Sequence, residues 1–454
     1  MANIKFGTDG WRAVTGKDFN RENVETVTKA AGKYILDNFG PDKKIIIGYD
    51  PRNMAKEFAR LSAEILSGFE VYLSDKVVPT PVLAYGAKVM NACALMFTAS
   101  HNPPEYLGIK FIPDYAGPAT DEITGQIVKN LNTDFPLPAA LPVRMFNFST
   151  AYFEHIEQII NFEKIRRLNK NIIFDGLYSA GIGYFDELLR RSGIKFESLH
   201  MEHDPNFGGG MPEPKPKYLK ELIAKVKAAH NAAGFANDGD ADRFGVINEN
   251  GEYVSPNEII AILLIHLKNN KGLSGALVKT VGASLLLDKT AEKLGVEVIE
   301  TAVGFKHVGE AMRRHDVLIG GEESGGLSIK GHIPEKDGIL ANLLVLEAMA
   351  YGNKSLVELQ EDLYNFIGCR FYNDRIDKRL ASSDEAGRIL EKYAGQDSLG
   401  GFKIIRKDTK DGVKLYFDDS WVLIRPSGTE PLLRIYFESG SKEKIEQLKR
   451  EITK

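Results

Sequence analysis

The chain has little cysteine: Cys93 and Cys369 are the only two among 454 residues. Two cysteines exclude a disulfide framework and a thiolate zinc site, and they fit a reducing compartment. The chain also lacks a long apolar run, because the longest, near residues 259–265, is far shorter than the roughly 20 residues of a membrane span. The first ten residues have neither the basic start nor the apolar core of a signal peptide. We therefore predict a cytoplasmic protein that does not bind membranes.

Neither sign of charge is in large excess, since 58 basic and 62 acidic side chains give a formal net charge of −4. Such a balance provides no general attraction to nucleic acid, so any anionic ligand must be held by local groups. Hydrophobic residues at 43% and charged residues at 26% are ordinary values for a globular protein. At about 100 to 150 residues per domain, the length predicts three or four domains.

Short apolar runs alternate with stretches of helical spacing in three successive parts of the chain, which predicts α/β architecture in each. In the first part the apolar runs are 45–48, 71–73, 92–97 and 108–112, and residues 55–66 have helical spacing. The second part has runs at 172–174, 196–199 and 234–236, after a polar stretch at 132–142. The third has runs at 275–278, 296–301 and 317–320, with a helical pattern at 285–294. The chain thus contains three related α/β units.

Beyond about residue 368 the pattern changes. Short runs at 402–405, 413–417, 421–425 and 433–437 are separated by turn residues, and a helix from Lys442 closes the chain. This pattern predicts a smaller, mostly antiparallel α+β domain. We place the four domains at 1–146, 147–251, 252–366 and 367–454.

The most informative segment is Thr-Ala-Ser-His-Asn-Pro-Pro at 98–104, which ends the apolar run 92–97. It predicts an exposed, rigid loop that presents Ser100 and His101 at the rim of a sheet. A serine hydroxyl is a poor nucleophile alone, so its function depends on its surroundings. Sequence alone reveals no Ser-His-Asp arrangement, and His101 could donate a hydrogen bond to a phosphorylated Ser100 instead of activating it. Lys110 follows on a short strand, where a solvated lysine is the commoner interpretation.

Asp238, Asp240 and Asp242 alternate with small residues, so their carboxylates project to one side of an extended loop. Three converging carboxylates need a cation, and hard oxygen ligands suit magnesium. An acidic turn between strands is the alternative. An EF-hand calcium loop ending at Glu249 is disfavoured, because its sixth position is Arg243 where glycine is required.

Two further segments can bind a phosphorylated, hydroxyl-rich ligand. The run Arg-Pro-Ser-Gly-Thr at 425–429 offers a guanidinium, two hydroxyls and backbone N–H groups for a phosphate, with Arg434 nearby, although a plain hairpin turn fits it equally well. The glycine-rich loop at 321–326 contains Glu322 and Ser324 and suits sugars, although alone it would be read as a flexible acidic loop. The opening turn that ends at Arg12 is, by itself, only a turn.

In this order and one per unit, the segments resemble those of the α-D-phosphohexomutase family over essentially the whole chain. The resemblance implies a phosphoserine at Ser100, magnesium on Asp238, Asp240 and Asp242, and a central cleft between the four domains. Ser100 itself is then a further ligand of the metal. It implies that Glu322 and Ser324 hold sugar hydroxyls. It further implies that the non-reacting phosphate is gripped by the following residues: Arg425, Ser427, Gly428 and Thr429. Arg12, Lys110 and Arg243 would lie in the catalytic cleft, with Lys110 as general acid/base, and Lys306 would contact phosphate.

The resemblance implies that a hexose 1-phosphate and a hexose 6-phosphate are interconverted through a 1,6-bisphosphate that reorients in the cleft. The Gly-Glu-Glu-Ser-Gly-Gly loop at 321–326 and the segment 332–338 look most like phosphoglucomutases, so we expect glucose, with glucose 1,6-bisphosphate as activator and intermediate. Residues 6–12 look instead like the opening of phosphoglucosamine mutases, and mannose 1-phosphate stays open. A silent sugar-phosphate-binding protein and a magnesium phosphatase are the alternatives from other classes. We expect a monomer or a homodimer.

Overall fold

In a computed structural model, residues 4–7, 9–136, 139–380, 383–426 and 432–453 are described, with the side chains of residues 383 and 384 left aside. The chain forms three mixed α/β sheets, one antiparallel C-terminal sheet and a small two-stranded ribbon. None of the helices in these residues is long and apolar enough to cross a membrane.

The first sheet has six strands in the order β1-β5-β4-β2-β3-β6. Its strands are β1 Trp11–Val14, β2 Lys44–Tyr49, β3 Val71–Ser74, β4 Ala92–Phe97, β5 Tyr106–Ile112 and β6 Arg144–Phe146. Its helices are α1 Arg21–Phe39, α2 Ala55–Ile65, α3 Thr80–Met90 and α4 Asp121–Lys129. Strands β4, β2, β3 and β6 run parallel, whereas β5 returns antiparallel to β4.

The second sheet has the order β11-β10-β9-β7-β8. Two helices precede it, α5 Ser149–Ile159 and α6 Phe162–Arg166, and its elements are β7 Asn171–Asp175, α7 Phe185–Arg191, β8 Glu197–Leu199, α8 Lys220–Ala229, β9 Ala232–Asn237, β10 Phe244–Ile247 and β11 Tyr253–Val254. A 3-10 turn covers Phe207–Gly209. Strand β10 is antiparallel to β9, while β7, β8 and β9 are parallel.

The third sheet has the order β13-β12-β14-β15. Its elements are α9 Pro256–Ile265, a π-helical turn at His266–Asn270, β12 Ala276–Thr280, α10 Leu285–Leu294, β13 Val298–Thr301, α11 Phe305–Arg314, β14 Val317–Gly321, β15 Leu327–Ile329, α12 Gly338–Gly352 and α13 Leu356–Ile367. Again one strand, β15, returns antiparallel to the last parallel strand, β14.

The C-terminal sheet is antiparallel, in the order β16-β22-β21-β20-β19. Its elements are β16 Tyr372–Arg379, α14 Ser383–Ala394, β17 Ser398–Leu399, β18 Phe402–Lys403, β19 Arg406–Asp408, β20 Val413–Tyr416, β21 Ser420–Pro426, β22 Leu432–Ser439 and α15 Lys442–Thr453. The expected strand 402–405 is thus wrong in extent: β18 pairs only with β17, and the main sheet starts at β19.

The α/β fold class is confirmed, and the three related units share one feature that positions the site. In each, the loop singled out in the sequence connects the last parallel strand to an antiparallel neighbour: β4 to β5, β9 to β10, and β14 to β15. The C-terminal loop likewise joins β21 to β22. The first three loops therefore occupy equivalent places at the ends of their sheets.

The cores explain why the C-terminal part is a separate unit. One continuous apolar cluster runs through the helices and sheets of the second and third units and takes in part of the first. The C-terminal sheet has its own cluster, and a small patch including Val281, Tyr416 and Trp421 joins it to the third unit. The exact boundaries 1–146, 147–251, 252–366 and 367–454 stay predictions.

A histidine pair lies where the first three units meet. His155 Nε2 and His332 Nδ1 are 3.0 Å apart, and Tyr85 stacks on His155 with a centroid distance of 4.4 Å. His332 Nε2 lies 2.9 Å from Asp337 Oδ2, which also accepts a hydrogen bond from the Tyr152 hydroxyl at 2.8 Å. Burial, with His332 and Lys88 nearby, lowers the pKa of His155 to about 4.

This pKa predicts acid sensitivity. Below the ordinary histidine pKa of 6.5, His155 binds a proton in the unfolded chain but not in the folded chain. The free energy of unfolding therefore falls as the pH drops towards 4. We expect His155→Gln to reduce that fall, measured by urea unfolding at pH 7.5 and 5.0. His315→Gln, at an exposed histidine, is the control. An equal fall in His155→Gln and wild type would contradict the prediction.

Candidate active site

The described functional loops meet at the ends of their sheets. We call residues 98–104 the serine loop, 238–243 the acidic loop and 321–326, after its predicted ligand, the sugar loop. A Cβ on Gly239 would lie 2.4 Å from the carbonyl oxygen of Ser100, so the acidic loop approaches the serine loop as closely as only glycine permits. The amide of Phe244 donates to the carbonyl of Gly325 at 3.0 Å, which ties the acidic loop to the sugar loop. The predicted phosphate-loop residues Ser427, Gly428 and Thr429 lie outside the described residues.

Ser100 is buried, with 1% of its surface exposed, and has a left-handed backbone with φ of 53°. Non-glycine residues rarely adopt this conformation, and such strain concentrates at functional sites. Its hydroxyl donates to Asp238 Oδ2 at 2.8 Å and lies 3.4 Å from His101 Nδ1. The geometry therefore aims Ser100 at the acidic loop, and the expectation of an exposed serine is wrong, because the neighbouring unit covers it.

A buried ion pair beneath the serine loop was missed by sequence reasoning. Arg52 donates to the carbonyl oxygens of Ser100 at 2.6 Å and Asn102 at 2.7 Å, and its Nε lies 3.1 Å from Asp50. Asp50 also accepts from the Thr98 hydroxyl at 2.6 Å. One signal was available, since both residues directly follow the parallel strand β2. This pair fixes the backbone that carries Ser100.

Asp238, Asp240 and Asp242 form the one group of carboxylates, within the ranges that the structure describes, that could hold a metal ion. One ligand oxygen from each lies within 4.8 Å of the others. The Oδ1 atoms of Asp240 and Asp242 are buried without a hydrogen-bond partner, and burial with the neighbouring carboxylates raises the pKa of Asp238 well above its ordinary value. Unpaired buried oxygens of this kind fit a divalent cation with oxygen ligands.

The calcium-loop alternative is excluded by the position of Glu249. Its two carboxylate oxygens accept from the amides of Leu356 and Val357, at 2.9 and 3.2 Å. Glu249 therefore caps the start of α13 instead of joining the three aspartates.

Lys110 is not the solvated lysine that its strand suggested. It is 2% exposed, and its Nζ lies 2.7 Å from Asp9 and 2.8 Å from both Asp240 and Asp242. Burial alone would lower its pKa, but the carboxylates of Asp240, Asp242 and Asp9 raise it well above the ordinary lysine value. The side chain is therefore a cation at the centre of the acidic loop.

A second buried lysine was missed. Lys336 Nζ lies 2.9 Å from Glu335 and 3.3 Å from Asp242. Burial raises the pKa of Glu335 to about 7. The pair contacts the acidic loop through Lys336. The sequence did not indicate this contact, because Asp242 lies almost a hundred positions before Lys336.

Two guanidinium groups and a neutral imidazole complete the surroundings of Ser100. Arg12 Nη1 donates to Asn102 Oδ1 at 2.7 Å and to the Ala99 carbonyl at 3.2 Å. Arg243 Nε lies 4.0 Å from Asp242. The charge of Arg243, with burial, holds the pKa of His101 well below its ordinary value, so His101 is neutral at pH 7. These groups can stabilise a phosphorylated serine.

The sugar loop is packed and hydrogen-bonded. This argues against the alternative that residues 321–326 form a flexible loop. Glu322 is 6% exposed and accepts from the Gly304 amide at 3.0 Å, and the Ser324 hydroxyl lies 3.4 Å from its other oxygen. Burial and the adjacent charge of Glu323 raise the pKa of Glu322 to about 7. Glu323 is held by the Thr280 hydroxyl at 2.6 Å.

The remaining predicted phosphate contacts are spread over two units. Arg425 and Arg434 stand opposite each other on β21 and β22, which brings them together as expected. Arg425 is bound by Asp411, 3.0 Å from its Nη2. Lys306 instead pairs with Asp121 of the first unit at 2.5 Å.

Comparison with known proteins agrees with this arrangement. Models of the phosphoglucomutase/phosphomannomutase family match in order: alpha/beta/alpha domain I at 3–136, domain II at 150–251, domain III at 255–366 and the C-terminal domain at 384–454.

Similar proteins span almost the whole chain. A phosphoglucomutase/phosphomannomutase of Thermococcus kodakarensis is 31% identical, covering 97% of this chain and 96% of the relative. A phosphoglucosamine mutase of Methanococcus maripaludis is 32% identical, covering 98% and 96%. A crystal structure from Thermus thermophilus, provisionally assigned as a phosphomannomutase, superposes with a TM-score of 0.87 at 32% identity, covering 99% and 98%.

The Ser100 hydroxyl lies against Asp238 of the acidic loop, two segments that the resemblance assigns to one cleft. The family models and the relatives now extend that agreement to all four domains. The chain belongs to the α-D-phosphohexomutase family and is a phosphohexomutase, an isomerase.

Proposed function

We propose that the enzyme interconverts a hexosamine 1-phosphate and its 6-phosphate through a phosphoserine at Ser100 and a 1,6-bisphosphate intermediate. The observation that carries this proposal is the Ser100 hydroxyl, held 2.8 Å from Asp238 within the acidic loop. In the first half-reaction the P–O bond at Ser100 breaks and a new one forms at the free sugar hydroxyl. After the bisphosphate has turned, its other phosphoryl group returns to Ser100.

The carboxylates of Asp238, Asp240 and Asp242, with Ser100, would hold Mg²⁺, since the unpaired oxygens of Asp240 and Asp242 fit a hard cation. The ion would supply charge neutralisation at the transferring phosphoryl group. Arg12 and Arg243 supply positive charge from the chain itself, and His101 can hydrogen-bond the phosphoserine.

Lys110 is the group that we assign to proton transfer. Its carboxylate partners keep it protonated, so it can give a proton to the sugar oxygen that departs when phosphate returns to Ser100. In the opposite direction Lys110 must first be neutral, a form that bound Mg²⁺ would favour by offsetting the carboxylate charge, and it then takes the proton from the attacking hydroxyl. The same residue serves both directions because each is the reverse of the other.

Substrate recognition is divided between the third and fourth units. Glu322 and Ser324 would accept and donate hydrogen bonds to sugar hydroxyls. The non-transferring phosphate would be gripped by these residues: Lys306, Arg425, Ser427, Gly428, Thr429 and Arg434. Because both phosphates must occupy this grip in turn, it recognises phosphate and not a particular sugar carbon.

The preferred sugar is where the loop motif and the relatives disagree. The motif at 321–326 favoured glucose, but several relatives of 31–32% identity over most of the chain are phosphoglucosamine mutases. One relative of the same similarity is a phosphoglucomutase/phosphomannomutase, but several are phosphoglucosamine mutases, so we propose glucosamine phosphate, with glucose and mannose phosphates as second candidates. The adjacent carboxylates of Glu322 and Glu323 could also accept hydrogen bonds from an ammonium group.

We expect the highest kcat/KM with glucosamine 1-phosphate when the three sugar 1-phosphates are compared in coupled assays with magnesium and a trace of the matching 1,6-bisphosphate. A higher value with glucose 1-phosphate would restore the motif-based expectation. Release of inorganic phosphate without isomerisation would indicate a phosphatase. Binding without turnover of any of the three would indicate a silent sugar-phosphate-binding protein.

A further inference from the structure

The guanidinium of Arg425 is bound along one edge by a single carboxylate, that of Asp411. Arg425 Nε donates to Asp411 Oδ1 at 3.3 Å, and Nη2 lies 3.0 Å from Oδ2. Both side chains are only 20% exposed. Asp411 lies in the turn between β19 and β20, and a Cβ on the next residue, Gly412, would lie 2.2 Å from the carbonyl of Ile424. Glycine at 412 therefore allows this turn to lie against the strand that carries Arg425.

The Asp411 carboxylate also contacts the third unit. Asp411 Oδ2 accepts from the backbone amide of Val303 at 3.2 Å. The next amide, that of Gly304, donates to Glu322 Oε1 at 3.0 Å. Two consecutive N–H groups thus connect the carboxylate beside Arg425 to the carboxylate of the sugar loop.

A paired guanidinium has a defined direction, because two contacts to one carboxylate fix its plane. With Nε and Nη2 facing Asp411, the plane and outward direction of the rest of the group are set by the turn at 411–412. The Val303 contact sets where this turn lies relative to Glu322.

We propose that Asp411 is a positioning residue for substrate binding: it orients Arg425 towards the non-transferring phosphate and fixes that phosphate site at the correct distance from the sugar loop. The proposal deepens the proposed function and rests on its assignment of Arg425 to phosphate. Asp411 itself touches no reacting atom. Its effect is therefore expected in substrate affinity, with phosphoryl transfer at Ser100 left intact.

The test compares Asp411→Asn with Asp419→Asn, a matched change in the same domain at an ion pair with Lys444. We expect Asp411→Asn to raise KM for the sugar phosphate about tenfold, since a charge-assisted contact is lost, while kcat changes less than about threefold. The extent of Ser100 phosphorylation at saturating 1,6-bisphosphate, followed by intact mass, should be unchanged. Asp411→Glu keeps the charge but moves it, and should give an intermediate KM. This variant replaces Asp411→Asn in the comparison if Asp411→Asn melts at a lower temperature than the control.

A KM equal to that of Asp419→Asn would overturn the proposal. A lower KM would also overturn it, because it would show that Asp411 competes with phosphate. Calorimetric titration with inorganic phosphate separates this failure from a wrong sugar assignment: if the wild type turned over no hexose phosphate, Asp411→Asn should still bind inorganic phosphate about tenfold more weakly than the wild type.

Discussion

Ser100→Ala is expected to abolish isomerisation, with kcat reduced by about four orders of magnitude or more, because the variant lacks the hydroxyl that we propose carries the phosphoryl group between substrate and product. The Ser100 hydroxyl is the one that the serine loop presents to Asp238. The measurement is the coupled assay with glucosamine 1-phosphate, together with intact mass after incubation with the 1,6-bisphosphate. The wild type should gain the mass of one phosphoryl group, and the variant should gain none.

The matched control is Ser67→Ala, a serine in the first unit far from the serine loop in sequence. It should retain both activity and phosphorylation. Residual activity above about one hundredth of the wild type in Ser100→Ala, or a phosphoryl group on that variant, would contradict the assignment of Ser100 as the carrier. Because the side chain contributes only one hydroxyl contact to Asp238, the variant should fold normally.

Lys110→Met is expected to have the second-largest effect, and it should be visible in both activity and stability. Removing the cation leaves the buried carboxylates of Asp240 and Asp242, and the partly exposed Asp9, without their shared partner. Breaking such a buried ion group costs about 3–5 kcal/mol of folding free energy. Loss of the proposed proton donor should lower kcat by about 10² to 10⁴.

Magnesium should separate the two effects. Without the competing lysine the acidic loop carries more uncompensated negative charge, so added Mg²⁺ should raise the melting temperature of Lys110→Met more than that of the wild type. Activity should stay low, because the ion does not replace the proton donor. Lys129→Met, at an exposed position on α4, is the control for loss of a lysine. A variant with unchanged stability and the same response to Mg²⁺ as the wild type would contradict the charge arrangement.

Much of the fold could be predicted because its signals are local. Apolar runs such as 92–97 and helical spacing such as 55–66 depend on neighbouring residues, and β4 and α2 occupy those places. Strand β16, Tyr372–Arg379, was missed because its residues are largely polar and exposed. It forms only because β22 offers a full antiparallel edge, from Leu432 to Ser439. That pairing partner lies some sixty residues further along the chain.

The candidate site divides in the same way. Residue types and spacing within a few positions predict Ser100, the three aspartates and the sugar loop. Arg52, Lys336 and Asp411 could not be identified in this way, because each acts through contacts with residues on other loops or strands. Lys110 was the clearest case: a lone lysine on a strand is usually solvated, and only the approach of Asp240 and Asp242 makes it a buried cation.

Residue order alone was sufficient for the α/β class, the repeated units and the choice of the loops that we propose to carry chemistry, since strand periodicity and loop composition depend on adjacent residues. Which charges face one another follows only from the packed fold. Equivalent strand-to-strand connections bring distant loops to one place. Burial there couples the carboxylates to Lys110 and shifts the pKa values of Lys110 and Asp238. No single segment of the sequence determines these partners or these pKa values.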